Sequence, residues 1–419
     1  MRRAGLIEAL RGRGSISLIL AFAYIAAGVI ALAYAKDTLR APDEFEYLSI
    51  GQNLALHGMF SMDGTTPTAW RAPGLPAIIA VFWWVWPSVY LIKAFGVCCW
   101  MATGYVIGRT AAYLHGAAAG YLAASLYLLY LYELYAATTL YPQTIAGLLL
   151  VLSVAAVVLP IELTPRRQLL LAASAALQIL MIPNCIVVAA AIYPYAVLRG
   201  RIRLRNALAA GAVILLVILA WSYRNEQRLG GFSFTTTMGV TLYEGNRDSD
   251  PTVNDGSSTG KSDIDEKAKG LSEIESDKFY RQRSIESMKS HSWTTLRLTI
   301  GKFFHWFAYE NAYATAVEVP TLSILSLAMA FIYYPVLIGS LLASRTGKGP
   351  ARDFAVLSWL IYLMAVGAYV LFLTRIRYRL PFDTLLFCAA PGALLDLARR
   401  LSRTSAVGPA TEGSGLSDA

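Results

Sequence analysis

The chain has 419 residues, of which 56% are hydrophobic and only 15% charged, and its mean hydropathy is +0.49. A soluble globular chain carries about 25% charged residues, so a soluble enzyme, a disordered chain and a disulfide scaffold are all excluded. The net charge of +9, from 36 basic and 27 acidic residues, is then a topology signal first and not a nucleic-acid footprint. At roughly 20 residues per crossing, the length allows about ten membrane spans. The expected fold class is an all-α polytopic membrane protein of about ten transmembrane helices. Interfacial helices are expected in the first outer loop, and a mixed outer loop at 224–296.

Residues 1–14 carry Arg2, Arg3, Arg11 and Arg13, which place the N-terminus in the cytoplasm. The first apolar run, 15–35, ends in Ala33-Tyr34-Ala35, a mimic of a signal-peptidase site. It exceeds the ~7–15 residues of a cleavable signal core, so an uncleaved anchor is expected. Residues 36–72 form a polar outer loop, and the short run 73–86, with Trp83, Trp84 and Trp86, lies along the interface. Six further spans are read at 88–112, 116–137, 140–160, 168–182, 184–199 and 206–223, completing an N-terminal module over 15–223. The two runs at 168–199 are short, with Pro183-Asn184 at their outer tip. An extracytoplasmic segment, 224–311, follows: extended pieces at 232–247, a polar stretch at 248–262, a helical pattern at 264–291 and an amphipathic piece at 297–311. The C-terminal module, 312–401, holds spans at 320–343, 354–374 and 381–398, and 402–419 reads as a disordered cytoplasmic tail.

Laying 73–86 on the interface puts Arg109, Arg166, Arg167, Arg199, Arg201, Arg203, Arg205, Arg345, Lys348, Arg352, Arg399, Arg400 and Arg403 in the cytoplasm. Gly104/Gly108 and Gly116/Gly120 have the spacing of close helix packing. The cysteines lie in apolar runs, the histidines have no metal-ligand spacing, and no phosphate-binding glycine loop for nucleotides appears.

Charges that break this map carry the functional signal. Arg375, Arg377 and Arg379 fall at the outer end of the ninth span, Arg71 closes the first outer loop, and Arg224 ends the seventh span. Arginines gathered at one membrane face fit an anionic ligand, and guanidinium suits bidentate phosphate binding. Snorkelling to lipid headgroups, or pairing with Asp383, is the alternative for them. On a helix Arg375 and Arg379 would share a face, which favours the first and last of the three. In the first outer loop Pro42 opens a helix with Asp43 and Glu44 in its first turn, and Tyr47 lies one turn beyond Asp43. A carboxylate opposite arginines can take a proton while they hold a developing phosphate charge. Glu133, near the outer end of the third span, is either a second functional carboxylate or the partner of a tyrosine or of Lys93. Lys302, His305 and Trp306 read as an interfacial anchor.

These residues resemble the membrane-embedded GT-C glycosyltransferases. The nearest branches are the dolichyl-phosphate-mannose protein mannosyltransferases and the bacterial lipid A aminoarabinose transferases. Pro42-Asp43-Glu44, with Tyr47, Asn53, Leu54 and Gly58, resembles the acidic motif of that family's first outer loop. Arg71-Ala72-Pro73-Gly74-Leu75-Pro76 resembles its Arg-x-Pro-Gly-x-Pro sequence. Trp221 to Asn225 and then Gly245-Asn246 resemble its Trp-x-x-Arg-Asn and later Gly-Asn. Arg377-Tyr378-Arg379-Leu380-Pro381 resembles its C-terminal arginine motif. The likeness runs through most of the chain, and its specificity lies in the order and shared outer placement of short motifs. It implies a polyprenyl-phosphate-linked sugar as donor and transfer with inversion on the outer face of a plasma membrane, the inner one in bacteria. Asp43 with Glu44 would be the catalytic carboxylates, and Arg375, Arg377, Arg379 and Arg71 would bind donor phosphate. Glu133, Tyr47, Arg224 and Asn246 are candidates for a second carboxylate or an acceptor site. The chain departs from the family at Pro142-Gln143, where relatives often have an acidic residue.

No cofactor and no metal are required by such chemistry, since phosphate leaves without protonation; a bridging divalent cation stays open. The expected partners are the lipid-linked sugar, membrane lipids and an acceptor that is a lipid or glycan, or else a protein, with no nucleic acid. The competing class is a transporter or flippase for an anionic lipid-linked sugar. There the arginines would guide the ligand, yet no internal repeat is visible and the unusual charges sit at one face.

Overall fold

The computed structural model describes residues 2–246, 267–309 and 320–406. Among them the only β pairing is a single bridge between Ser61 and Pro67, and the rest is helix and connection. The N-terminal part holds α1 (Arg2–Ala35), α2 (Pro42–His57), α3 (Gly74–Val85), α4 (Val89–His115), α5 (Ala117–Leu129), α6 (Leu131–Ala137), α7 (Gln143–Val158), α8 (Pro165–Met181), α9 (Ile186–Leu198) and α10 (Leu204–Leu229). Then come α11 (Met238–Asn246), α12 (Glu273–Ser290), α13 (Ser292–Trp306), α14 (Pro320–Thr346), α15 (Gly349–Tyr369) and α16 (Ile376–Ala406).

Among the described residues six helices are long and apolar enough to cross a membrane: Ser15–Ala35, Val89–His115, Leu204–Leu229, Ile324–Thr346, Gly349–Tyr369 and Ile376–Ser402. A seventh results if α5 and α6, bent by 62° at Tyr130, form one broken span. The described residues therefore confirm six or seven of the expected ten. The runs read at 140–160, 168–182 and 184–199 became α7, α8 and α9, of 16, 17 and 13 residues. Those fall below the roughly 20 residues a straight crossing needs. The Trp-rich α3, at 12 residues, is likewise too short to cross.

α16 is the central element. Of its span 67% is buried, against 17% for α1 and α10, because α4, α5, α7, α14 and α15 all pack on it. α4 and α5 approach closely where the small-residue spacing expected it: a Cβ on Gly120 would stand 2.7 Å from the Gly108 carbonyl oxygen.

The extended pieces expected at 232–247 are replaced at their end by α11. Its Thr- and Val-containing sequence favours strand, but α11 docks on α12, and Asp277 accepts a hydrogen bond from the Gly239 N–H at its start at 2.5 Å. α12 begins with a capping box between Ser272 and Glu275, as the helical pattern at 264–291 led one to expect. The polar stretch 248–262 lies outside the described residues. α16 continues to Ala406, past the expected start of a disordered tail at 402, and 407–419 lie outside the described residues.

Candidate functional site

α2 starts at Pro42 as the sequence indicated, with Ala41 extended at its N-cap. That start turns Asp43 and Glu44 to different sides. Glu44 is fully buried: one oxygen accepts the Arg40 and Ala41 N–H groups at 3.0 and 3.2 Å, and the other accepts Leu140 N–H at 3.1 Å. Both oxygens are thus taken up by backbone, and Glu44 shapes the site without facing into it. Asp43 does face it. Its Oδ1 pairs with Arg71 at 2.8 Å and its Oδ2 with Arg377 at 2.8 Å. All three side chains are only about one-fifth exposed, at 21%, 20% and 21%.

A second carboxylate, Glu46, accepts Arg71 Nε at 2.6 Å and the Trp70 indole N–H at 3.2 Å. Aromatic faces complete the frame. Arg71 lies over Tyr47 at 5.2 Å, and Arg377 stands between Tyr141 at 4.9 Å and Tyr378 at 5.2 Å. Burial alone would raise the Asp43 carboxyl, but the charges of Arg377, Arg71 and Arg375 outweigh it and hold the group below the usual carboxylate range. Burial pushes the Tyr47 hydroxyl the other way, upward. The result is an ionised carboxylate held between two guanidinium groups that are stacked, charged and reachable from outside.

The other candidates fall elsewhere. The helix begins at Ile376, so Arg375 precedes it; Arg377, and not only the first and last arginines that the sequence favoured, stands against Asp43, with Arg375 in its field. Arg379 is 0% exposed and belongs to the core. It donates to Asp383 at 3.2 Å, to the Trp306 carbonyl at 2.7 Å, to the Ala308 carbonyl and to the Tyr130 hydroxyl at 3.3 Å, with Tyr333 stacked on it. Glu133 is 1% exposed beside Tyr127, in the field of Asp383 and away from Asp43, while Lys93 donates to the Thr38 carbonyl at 2.6 Å. Arg224 clasps the first outer loop through the Thr68 and Phe60 carbonyls at 2.8 and 3.3 Å. Asn246, 2% exposed, bonds the Leu242 and Leu371 carbonyls at 2.8 and 2.9 Å. Lys302 and Trp306 are 2% and 1% exposed, so they anchor protein to protein and not helix to interface.

Sequence reasoning missed Glu46, Tyr141 and Tyr378. Glu46 had a signal: it lies three residues after Asp43 on the same helix, on a shared face. Tyr141 had none, because only the α6–α7 connection brings it under Arg377. Among the described residues no group of three or more His, Cys, Asp or Glu side chains is placed to hold a metal ion.

No protein-family model matches the sequence, and neither does any curated protein. Solved structures do match. The chain is similar to ArnT from Cupriavidus metallidurans bound to undecaprenyl phosphate, at 13% identity and a TM-score of 0.53, covering 92% of this chain and 62% of that one. It is similar also to the archaeal oligosaccharyltransferase AglB from Archaeoglobus fulgidus, in complex with an inhibitory peptide and a dolichol-phosphate, at 14% identity and a TM-score of 0.52. That match covers 94% of this chain and 51% of the other. At such identities the likeness is one of fold. The protein is an integral membrane protein that shares the fold of these two structures, and it spans between half and two thirds of their length.

Proposed function

We propose that this chain transfers a sugar from a polyprenyl-phosphate-linked donor to a hydroxyl acceptor, with inversion, on the extracytoplasmic face. The observation that carries the proposal is Asp43 bridging Arg71 and Arg377 in a part-open, aromatic-lined site. Two fold neighbours holding polyprenyl phosphates support it.

In this reading a donor phosphate competes with Asp43 for the two guanidinium groups. Phosphate offers more acceptor oxygens in the geometry an arginine fork prefers. Once it binds, the arginine charge is neutralised and the Asp43 carboxylate regains basicity. Asp43 then accepts the proton of the acceptor hydroxyl as its oxygen forms a bond to the anomeric carbon. The bond from that carbon to the phosphate oxygen breaks, and the lipid phosphate leaves as an anion held by Arg71 and Arg377. Glu46 keeps Arg71 oriented.

The test is purified protein supplied with a polyprenyl-phosphate sugar and scored for free lipid phosphate. Asp43→Asn is expected to lower kcat by about 10²–10⁴-fold, as loss of a general base does. A folded Asp43→Asn variant transferring at the wild-type rate would remove Asp43 from that role. Passage of the intact lipid-linked sugar across the membrane without release of lipid phosphate would favour a transporter instead.

A further inference from the structure

The connection between α15 and α16 carries Arg375 and leads directly into Arg377. It is held from outside the bundle by α11 and α13. The Lys302 ammonium donates to the Phe372 carbonyl at 3.1 Å, to the Gly245 carbonyl at 3.1 Å and to the Asn246 side-chain oxygen at 3.0 Å. Its three N–H groups therefore have three acceptors, all neutral. Asn246 ties its amide to the Leu371 carbonyl at 2.9 Å, and His305 meets the Thr374 hydroxyl at 3.1 Å. A Cβ on Gly245 would stand 1.9 Å from the Phe372 oxygen, so only glycine lets the end of α11 reach this connection.

We infer that Lys302 is a positioning residue: by fastening the Phe372 carbonyl to the end of α11 it sets where Arg375 and Arg377 stand relative to Asp43. This rests on the reading of Arg377 as a phosphate ligand.

Lys302 is 2% exposed, and lysine is almost never that buried without a carboxylate partner. Its compensation is the negative end of α11, whose Gly245 carbonyl lies in the last turn. Burial lowers the ammonium to about 8. The folded value lies below the ordinary 10.5, so the charge opposes folding at neutral pH, and the opposition is relieved as pH rises from about 8 towards the unfolded value. An apolar chain in its place would relieve the cost of the buried charge but leave three acceptors without their donor. What it supplies is geometry at the connection.

The test compares Lys302→Met, Asn246→Ala and Arg377→Ala for Tm, for affinity towards polyprenyl phosphate without sugar, and for donor KM and kcat. A positioning role raises donor KM in Lys302→Met by about tenfold or more, weakens polyprenyl phosphate binding in step and leaves kcat at saturating donor within about threefold, whatever Tm does as three acceptors lose their donor. Asn246→Ala, which cuts the second tie while keeping the lysine, is expected to move KM in the same direction. Wild-type binding by Lys302→Met overturns the inference. So does a fall in Tm with KM unmoved, the mark of a purely structural lysine. If Arg377→Ala binds polyprenyl phosphate as the wild type does, the reading of the site itself fails and this inference with it. Loss of binding in Arg377→Ala alone defeats only the positioning role.

Discussion

Arg375, Arg377 and Arg379 follow one another at every second position, and each meets a different environment. Arg377 keeps 21% of its side chain exposed and bonds a carboxylate that a ligand can displace. Arg379 is sealed inside the bundle, where Asp383 also accepts the Tyr130 and Tyr362 hydroxyls at 3.0 Å each. Arg375, ahead of the helix, adds its positive field at Asp43. Removing one partner of a buried pair leaves an uncompensated charge, at about 3–5 kcal/mol. Arg379→Ala is therefore expected to lower the thermal midpoint strongly, whereas Arg377→Ala, at a part-open site, is expected to change it little and act on donor binding. Thermal unfolding of both variants in detergent checks this, and the opposite ranking would refute the assignment of roles.

α2 shows how an element aims a functional side chain. Glu44 satisfies the free N–H groups ahead of the helix and simultaneously fastens it to Leu140, next to the Tyr141 ring that backs Arg377. Asp43 is one residue earlier, so its direction depends on that fastening. Glu44→Ala would leave three amides without their acceptor, the half-buried Arg40 and Ala41 N–H groups and the buried Leu140 N–H. Losing a cap removes about 0.5–2 kcal/mol, and orphaning a further buried donor about 1–3 kcal/mol. A lower unfolding temperature together with a higher donor KM is expected; an unchanged unfolding temperature would mean that α2 is held by other means. α11 makes the complementary point, since a stretch read as extended became helix where Asp277 accepts its first N–H and α12 covers it.

Taken across its thickness, the bundle has two unlike ends. Along α16 the 22 residues from Arg377 to Arg399 span about 33 Å, at 1.5 Å per residue, comparable to the ~30 Å of a bilayer's hydrocarbon. The Asp43 site and Arg399, which lines a cavity together with Lys348, thus belong to opposite ends of the bundle. Short-loop basic residues stay in the cytoplasm, so the site is expected outside. With the four native cysteines replaced, Thr65→Cys should react with a membrane-impermeant maleimide in intact cells, and Arg400→Cys only after lysis. The reverse pattern would turn the protein over and move the proposed chemistry to the cytoplasmic side.

What the amino-acid sequence settled by itself was local: apolar runs, the helix start at Pro42 and the small-residue packing of α4 on α5. Such features follow from nearest neighbours along the chain and survive whatever the rest of the fold does. The tertiary structure alone decided that Arg377 meets Asp43, that Arg379 pairs inside with Asp383, that Glu44 caps, that Glu133 lies beside Tyr127, and that Lys302 and Asn246 hold the connection before α16. Each step along a helix turns a side chain by about 100°, so Arg377 and Arg379, two steps apart on α16, point to different sides, and the packing of α16 decides which one faces the cavity. Contacts between residues hundreds of positions apart depend on how the helices pack, a quantity no stretch of sequence carries on its own.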